Sequence, residues 1–165
     1  MLLPGELRVG RSLRRNLERE RYVVRFDTRF DEVIRACAST PRPGQSGTWI
    51  TDEMVEAYVR LHGLGFAHSA EAFDDGVLVG GCYGVSLGRA FFGESMFAHR
   101  SDASKVAFVR LVGQLTAWGF DMIDCQLRTE HLVRFGAEEI PRVDYLDRLE
   151  ESLEKPTRRG PWCWD

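Results

Sequence analysis

The chain has 165 residues, 44% of them hydrophobic and 28% charged, the balance of a globular protein with room for a real core. Its formal net charge of −3 excludes the global positive field of a general nucleic-acid binder. No apolar run approaches the ~20 residues that span a bilayer as a helix, and the opening MLLPGELRVGR lacks the apolar stretch of a signal peptide.

Charge is unevenly spread along the chain. Arg8, Arg11, Arg14, Arg15, Arg19 and Arg21 stand against Glu18 and Glu20, a local basic patch on an acidic protein. SLRRNLERER predicts a helix capped by Ser12, with Leu13 and Leu17 one turn apart. Its charged face reads either as a solvated surface or as a phosphate-binding one. YVVRFDT (22–28) predicts a short strand, FDEVIRACAS (30–39) a helix and TPRPGQSG (40–47) a loop. Thr51 is placed to cap a helix with Asp52 and Glu53 in its first turn and Met54, Tyr58 and Leu61 on its apolar face.

Three antiparallel strands are expected next, at about 66–74, 77–87 and 90–97, with turns at Asp75-Gly76 and Gly88-Arg89. Asp102 should then cap a deeply packed helix carrying Val106, Phe108, Val109, Leu111, Val112 and Leu115. FDMIDCQ (120–126) predicts a buried strand, HLVRFGA (131–137) a short helix ended by Gly136, and Val143 to Lys155 a final amphipathic helix. The last residues, RRGPWCWD, are expected to be loosely ordered. The pattern predicts an α+β fold with a mixed sheet: one domain over residues 1–155, then a tail over 156–165.

Several residue types invite specific chemistry. Cys37, Cys82, Cys125 and Cys163 form no CxxC pair, which predicts free thiols, a reducing cytoplasm and no zinc site. Gly80, Gly81 and Gly84 fall inside a strand, where close approach of a neighbour explains them better than a phosphate loop does. His68, Ser69 and Glu71 could suggest a hydrolase triad, but no G-x-S-x-G elbow is present. His62 and His131 read as packing or capping residues. FFGESMF (91–97) sets the carboxylate of Glu94 among apolar neighbours, a costly arrangement unless the group has a partner or a task.

A series of phrases in order carries a resemblance. It runs TWI (48–50), the helix through Tyr58 to His62, AHSAE (67–71), LVGGCYGVSLG (78–88), FFGESMF (91–97), ASK (103–105), IDCQ (123–126), EIPR (139–142) and the Tyr145-Leu146 helix. Over roughly residues 2 to 150 the chain resembles the leucyl/phenylalanyl-tRNA–protein transferases, bacterial aminoacyltransferases of the N-degron pathway of protein degradation. The resemblance implies a GNAT-like fold, with a largely antiparallel mixed sheet flanked by helices. It also implies transfer of Leu or Phe from charged tRNA to the N-terminal Arg or Lys of a protein, with no metal and no cofactor. Members carry a smaller N-terminal domain ahead of the segment matching Leu2-Leu3-Pro4, where this sequence starts; the acceptor and the donated amino acid are left open on that account.

The resemblance assigns residues as well. Glu94, Asp124 and Gln126 become the catalytic group, with Asp124 fixing the Gln126 amide and Gln126 handling the acceptor amine. Spacing alone puts Asp124 and Gln126 on one face of a regular strand, with Cys125 on the other. Trp49, Cys82, Phe91, Ser95, Leu111 and Leu115 become the donor-binding set, with Trp49 near the terminal adenosine. Both Phe91 and Glu94 should reach the donor, which requires a bend or bulge near Gly93. Cys82, Leu111 and Leu115 stand where the family usually has larger residues, and Phe73 where it usually has Trp, so a roomier pocket is expected. Arg11, Arg14, Arg15 and Arg19 become the tRNA-backbone contact. Two other readings stay open: a CoA-dependent acyltransferase of the same fold, although SDASK replaces the usual glycine-rich phrase before the main helix, and a non-catalytic homologue that binds tRNA or N-degron peptides.

Overall fold

The computed structural model describes residues 1–41 and 47–163; positions 42–46 of the expected 40–47 loop lie outside the described residues. The helices are α1 (Arg11–Glu18), α2 (Phe30–Ser39), α3 (Asp52–Gly63), α4 (Ala103–Ala117), α5 (Glu130–Arg134) and α6 (Arg142–Leu153). The strands are β1 (Val23–Phe26), β2 (Ala67–Asp74), β3 (Val77–Leu87), β4 (Ala90–Ala98) and β5 (Met122–Asp124). They form one sheet in the order β1-β2-β3-β4-β5. Neighbours from β1 to β4 are antiparallel, and β5 returns parallel to β4 after the α4 crossover. This is the mixed, largely antiparallel α+β arrangement expected from the sequence.

The sheet divides the apolar residues between two faces. α4 and Leu13 of α1 cover one, packing Val106, Leu111 and Leu115 with Cys82 and Phe91. α2 and α3 cover the other, packing Val33, Ile34 and Val55 with Tyr83 and Phe97. Adjacent Cys82 and Tyr83 thus serve opposite cores, as strand alternation requires. The glycines of β3 are explained by close approach. A Cβ on Gly80 would come within 2.6 Å of the Ala103 Cβ at the start of α4, and one on Gly84 within 2.2 Å of the Phe92 carbonyl oxygen.

Caps were read less well than cores. Thr51 caps α3, accepting from the Met54 N–H at 3.4 Å. α1, however, begins after Gly10, and Ser12 lies inside it. Asp102 makes no capping bond to α4: its backbone is left-handed (φ 62°), and its carboxylate takes Lys105 at 2.7 Å and Asn16 at 3.0 Å. Those side-chain donors satisfy the group that a free helix end would otherwise claim.

Two larger corrections concern the end of the sheet and the end of the chain. β5 covers only three residues; Leu2 pairs across Ile123 through two backbone bonds of 2.9 Å. As far as residue 163 the tail is not loose. Trp162 is 3% exposed, stacks on His68 at 3.7 Å, and donates its backbone N–H to Asp27 at 2.6 Å. No periodic apolar pattern there suggested docking, but one indole buries enough area to anchor a short segment.

His68, Ser69 and Glu71 form no triad. His68 Nδ1 meets Asp27 Oδ2 at 2.7 Å, whereas Ser69 and Thr28 donate their hydroxyls to Glu71. Glu71 has no solvent exposure, and burial raises its carboxyl above the ordinary 4.5 against the opposing pull of those hydrogen bonds. A raised native value means that the folded state holds the proton more tightly. The resulting stability is complete below the unfolded value and is lost as pH rises through the native one. Glu71→Gln keeps the acceptor but cannot ionise. In urea unfolding between about pH 4.5 and pH 8, the variant should therefore gain on the wild type as pH rises; a constant difference would rule out Glu71 ionisation as the source.

Candidate active site

β4 departs from regularity where the sequence placed the acidic residue. Tyr83 of β3 pairs with Ser95, but the next residue, Gly84, pairs with Gly93. Glu94 is the unpaired extra residue of a β-bulge. The expected break near Gly93 is therefore present, and it lets Phe91 and Glu94 line the same cavity although they are three residues apart.

Glu94 has partners. Its Oε2 accepts from Gln126 Nε2 at 3.1 Å, which joins β4 to the segment after β5. Tyr58 of α3 approaches from the other core: burial first, then the charge and hydrogen bond of Glu94, push its phenol above the ordinary 10. Because a carboxylate only accepts, the amide NH2 of Gln126 must face Glu94, leaving the amide oxygen as the free acceptor.

Asp124 and Gln126 come together by a turn rather than by strand parity. Gln126 lies beyond β5 in the left-handed region (φ 58°), an uncommon state for a side-chain-bearing residue. Asp124 stabilises that turn, accepting the Gln126 backbone N–H at 2.8 Å on Oδ1 and the Tyr145 hydroxyl at 2.9 Å on Oδ2. Asp124 thus fixes the backbone of Gln126, and Glu94 fixes its amide. Burial and the Asp124 hydrogen bond push the Tyr145 phenol up to about 12, so it stays a donor.

Two cavities meet at this pair. One, of about 460 Å³, is lined by Trp49, Cys82, Phe91, Ser95, Met96, Phe108, Leu111 and Ile123, together with Glu94, Asp124 and Gln126. Its wall is mostly apolar, and burial keeps the Cys82 thiol protonated. Trp49 is 45% exposed and set edge-to-face against Tyr58, so it is not a core tryptophan. The second cavity, also about 460 Å³, shares Asp124, Cys125, Gln126, Leu127 and Leu132 and adds Arg128, Glu138, Glu139, Arg142 and Tyr145. An apolar chamber and a charged one thus open on the same amide.

Leu115 is the one expected pocket residue that does not line the cavity; it is fully buried in the α4 core. Arg11, Arg14, Arg15 and Arg19 are exposed on α1 and just beyond it, and they line neither cavity. Tyr58 and Tyr145 were missed as site residues. The available signal was a tyrosine on an apolar helix face, whose hydroxyl must find a partner when buried. Among the described residues no cluster of three or more His, Cys, Asp or Glu could hold a metal, and no helix is long and apolar enough to cross a membrane.

Comparison with known proteins bears on the fold and on the family. The fold is similar to that of a solved GNAT-type aminoglycoside acetyltransferase from an uncultured soil metagenomic sample, with a TM-score of 0.55 over 74% of this chain and 93% of that one. At 16% identity that likeness speaks for the fold alone. The leucyl/phenylalanyl-tRNA–protein transferase of Anaeromyxobacter dehalogenans is 63% identical over 162 residues, 98% of this chain and 70% of that protein. Those of Myxococcus xanthus and Nitrosospira multiformis are 60% and 54% identical and are covered over 69% and 71% of their lengths. The family model described as leucyl/phenylalanyl-tRNA protein transferase matches residues 1–150, and the chain belongs to that family of aminoacyltransferases.

Proposed function

We propose that the chain moves leucine or phenylalanine from aminoacyl-tRNA to the N-terminal Arg or Lys of an acceptor protein, using the two cavities that meet at Gln126. Family membership supports the reaction, and the pairing of an apolar chamber with a charged one across a single amide supports the placement. The donor side chain enters the apolar cavity against Phe91 and Leu111, while Trp49 meets the terminal adenosine; stacking on a base is worth ~1–3 kcal/mol. The acceptor's α-amine arrives from the charged side.

The ester is already activated, so transfer needs no ATP and no enzyme nucleophile. The neutral amine attacks the ester carbonyl carbon. A C–N bond forms, the bond to the ribose oxygen breaks, and the proton lost by nitrogen ends on that leaving oxygen. An amide is too weak a base to take the proton outright. Gln126 instead accepts an amine N–H through its free oxygen and so aims the lone pair. Glu94 holds the amide in that orientation and offers its remaining acceptor capacity to the donor. Held this way, the two substrates gain chiefly from proximity.

Gln126→Ala and Glu94→Ala should keep the fold and lose transfer, by at least ~10²-fold in kcat/KM, the cost typical of misplacing a reactant. Radiolabelled Leu-tRNA and Phe-tRNA with an Arg-initiated peptide read this out directly. Full activity in a stable Gln126→Ala protein would end the proposed role.

The exposed arginines of α1 fit a tRNA backbone. Arg11 and Arg15 lie on one stripe that ends at Arg19, the C-cap residue, with Arg14 beside it. Leu13 buries the opposite face, so the stripe points outward. Backbone contacts of this kind are blind to sequence and suit an enzyme that accepts more than one tRNA. Neutralising Arg11 and Arg15 should weaken tRNA binding at low salt and lower the slope against log salt by about one unit per contact. Reaction with a minimal aminoacyl-adenosine donor should be nearly unchanged; equal loss with both donors would make the stripe structural.

A further inference from the structure

We propose that the C-terminal segment sets which amino acid the donor cavity prefers, with Trp162 as the positioning residue that holds Phe91 in the cavity wall. The inference rests on the assignment of the apolar cavity to the donor side chain. Phe91 lines that cavity, is 2% exposed, and lies so close over β3 that a Cβ on Gly84 would come within 2.6 Å of its Cζ. Its ring cannot retreat in that direction. It also packs against Trp162, with ring centroids 6.0 Å apart and planes tilted by 39°.

Trp162 is itself held firmly. It stacks on His68 at 3.7 Å and meets Trp118 and Phe120 edge-on at 5.0 and 5.9 Å. Its backbone N–H donates to Asp27 at 2.6 Å, and its indole N–H to the Arg158 carbonyl at 3.2 Å. Asp27 is locked in turn by the Ser69 N–H at 2.8 Å and His68 at 2.7 Å. Arg158 lies over Trp118 at 4.0 Å, while Arg159 lies over Phe66 and donates to the Leu64 carbonyl at 2.8 Å. Trp162 does not line the cavity, so it acts on the donor only through Phe91. A rigid backing of this kind fixes the depth of the wall. Shrinking it gives the Phe91 ring room to recede and deepens the chamber, which favours a bulkier donor side chain.

The test uses the full chain, wild type against Trp162→Ala and Trp162→Phe. Calorimetry measures the affinity of hydrolysis-resistant 3′-amide analogues of leucyl-adenosine and phenylalanyl-adenosine. In Trp162→Ala the preference for the phenylalanyl over the leucyl analogue should rise at least ~5-fold, within the range that one or two methylenes of pocket space command. Trp162→Phe should fall between this and the wild type. In transfer assays the same shift should appear in the donor KM, with the KM of an Arg-initiated peptide unchanged. If either variant, folded by near-ultraviolet circular dichroism, keeps the wild-type ratio, the proposal falls; should Trp162→Ala fail to fold, Trp162→Phe decides by the same criterion. A wild-type chain that shows the binding ratio but transfers nothing would sink the transfer reading alone, and the variant ratios would still decide this one.

Discussion

A single extra residue in β4 is the constraint on which the site depends. A regular strand would send Phe91 and Glu94 to opposite faces and leave the carboxylate facing the α2–α3 core or the amide facing nothing. The bulge at Glu94 resolves that conflict. The parallel pairing of β4 with β5 ends just before the bulge, at Phe92 and Asp124, and one carboxylate reaches from the bulge to Gln126. Because Glu94 also engages Tyr58, the bridge ties α3 to the far edge of the sheet. The charge is thus satisfied by donors from two directions, the condition under which a partly buried carboxylate can persist.

The division of labour around Gln126 follows from simple hydrogen-bond accounting. Its backbone N–H and its amide NH2 are both committed to carboxylates, so its amide oxygen is the group left to accept. Asp124, with one oxygen on Gln126 and the other on Tyr145, maintains a backbone conformation that a glutamine would not adopt alone. The strain is local, and the residues that hold it come from β5 and α6. The site is therefore built from long-range partners rather than from one motif.

Most of the scaffold was legible in the sequence. α2 has the predicted bounds, and the three-strand run was placed within a residue or so, because period-two alternation and Asp-Gly turns are local signals. Of the eight residues assigned to the catalytic and pocket groups beyond Leu115, namely Glu94, Asp124, Gln126, Trp49, Cys82, Phe91, Ser95 and Leu111, all line one cavity. What failed to show was geometry set by distant parts of the chain. Strand parity misplaced Gln126 because β5 stops two residues earlier than its apolar run suggests. Ser12 looks like a cap but lies inside a helix that Gly10 starts, and Asp102, though it stands at the N-cap of α4, gives its carboxylate to Lys105 and Asn16 rather than to the helix. Trp162 carries no periodic pattern at all; its importance lies in a cluster of rings drawn from four separated segments.

The contacts that close this molecule differ sharply in reach from those that build it. From β2 to β4 consecutive strands pair across tight turns, so that part of the sheet can zip up through short loop closures, whereas β1 joins β2 only across α2 and α3. The bonds that fasten the outer segments onto the sheet span far more sequence: 86 residues between Asn16 and Asp102, and 135 between Asp27 and Trp162. Long closures are ordered only once the intervening chain is already compact. The strap that carries Trp162 lies beyond α6, which ends at Leu153, so it can come away without unpairing any strand of the sheet. Opening of that kind leaves the hairpins paired while the wall behind Phe91 goes slack. Under gentle denaturation, amide protons of β2 and β3 would stay protected after the wall behind Phe91 had loosened; on the role proposed for Trp162, fidelity and fold then have separate thresholds within one small protein.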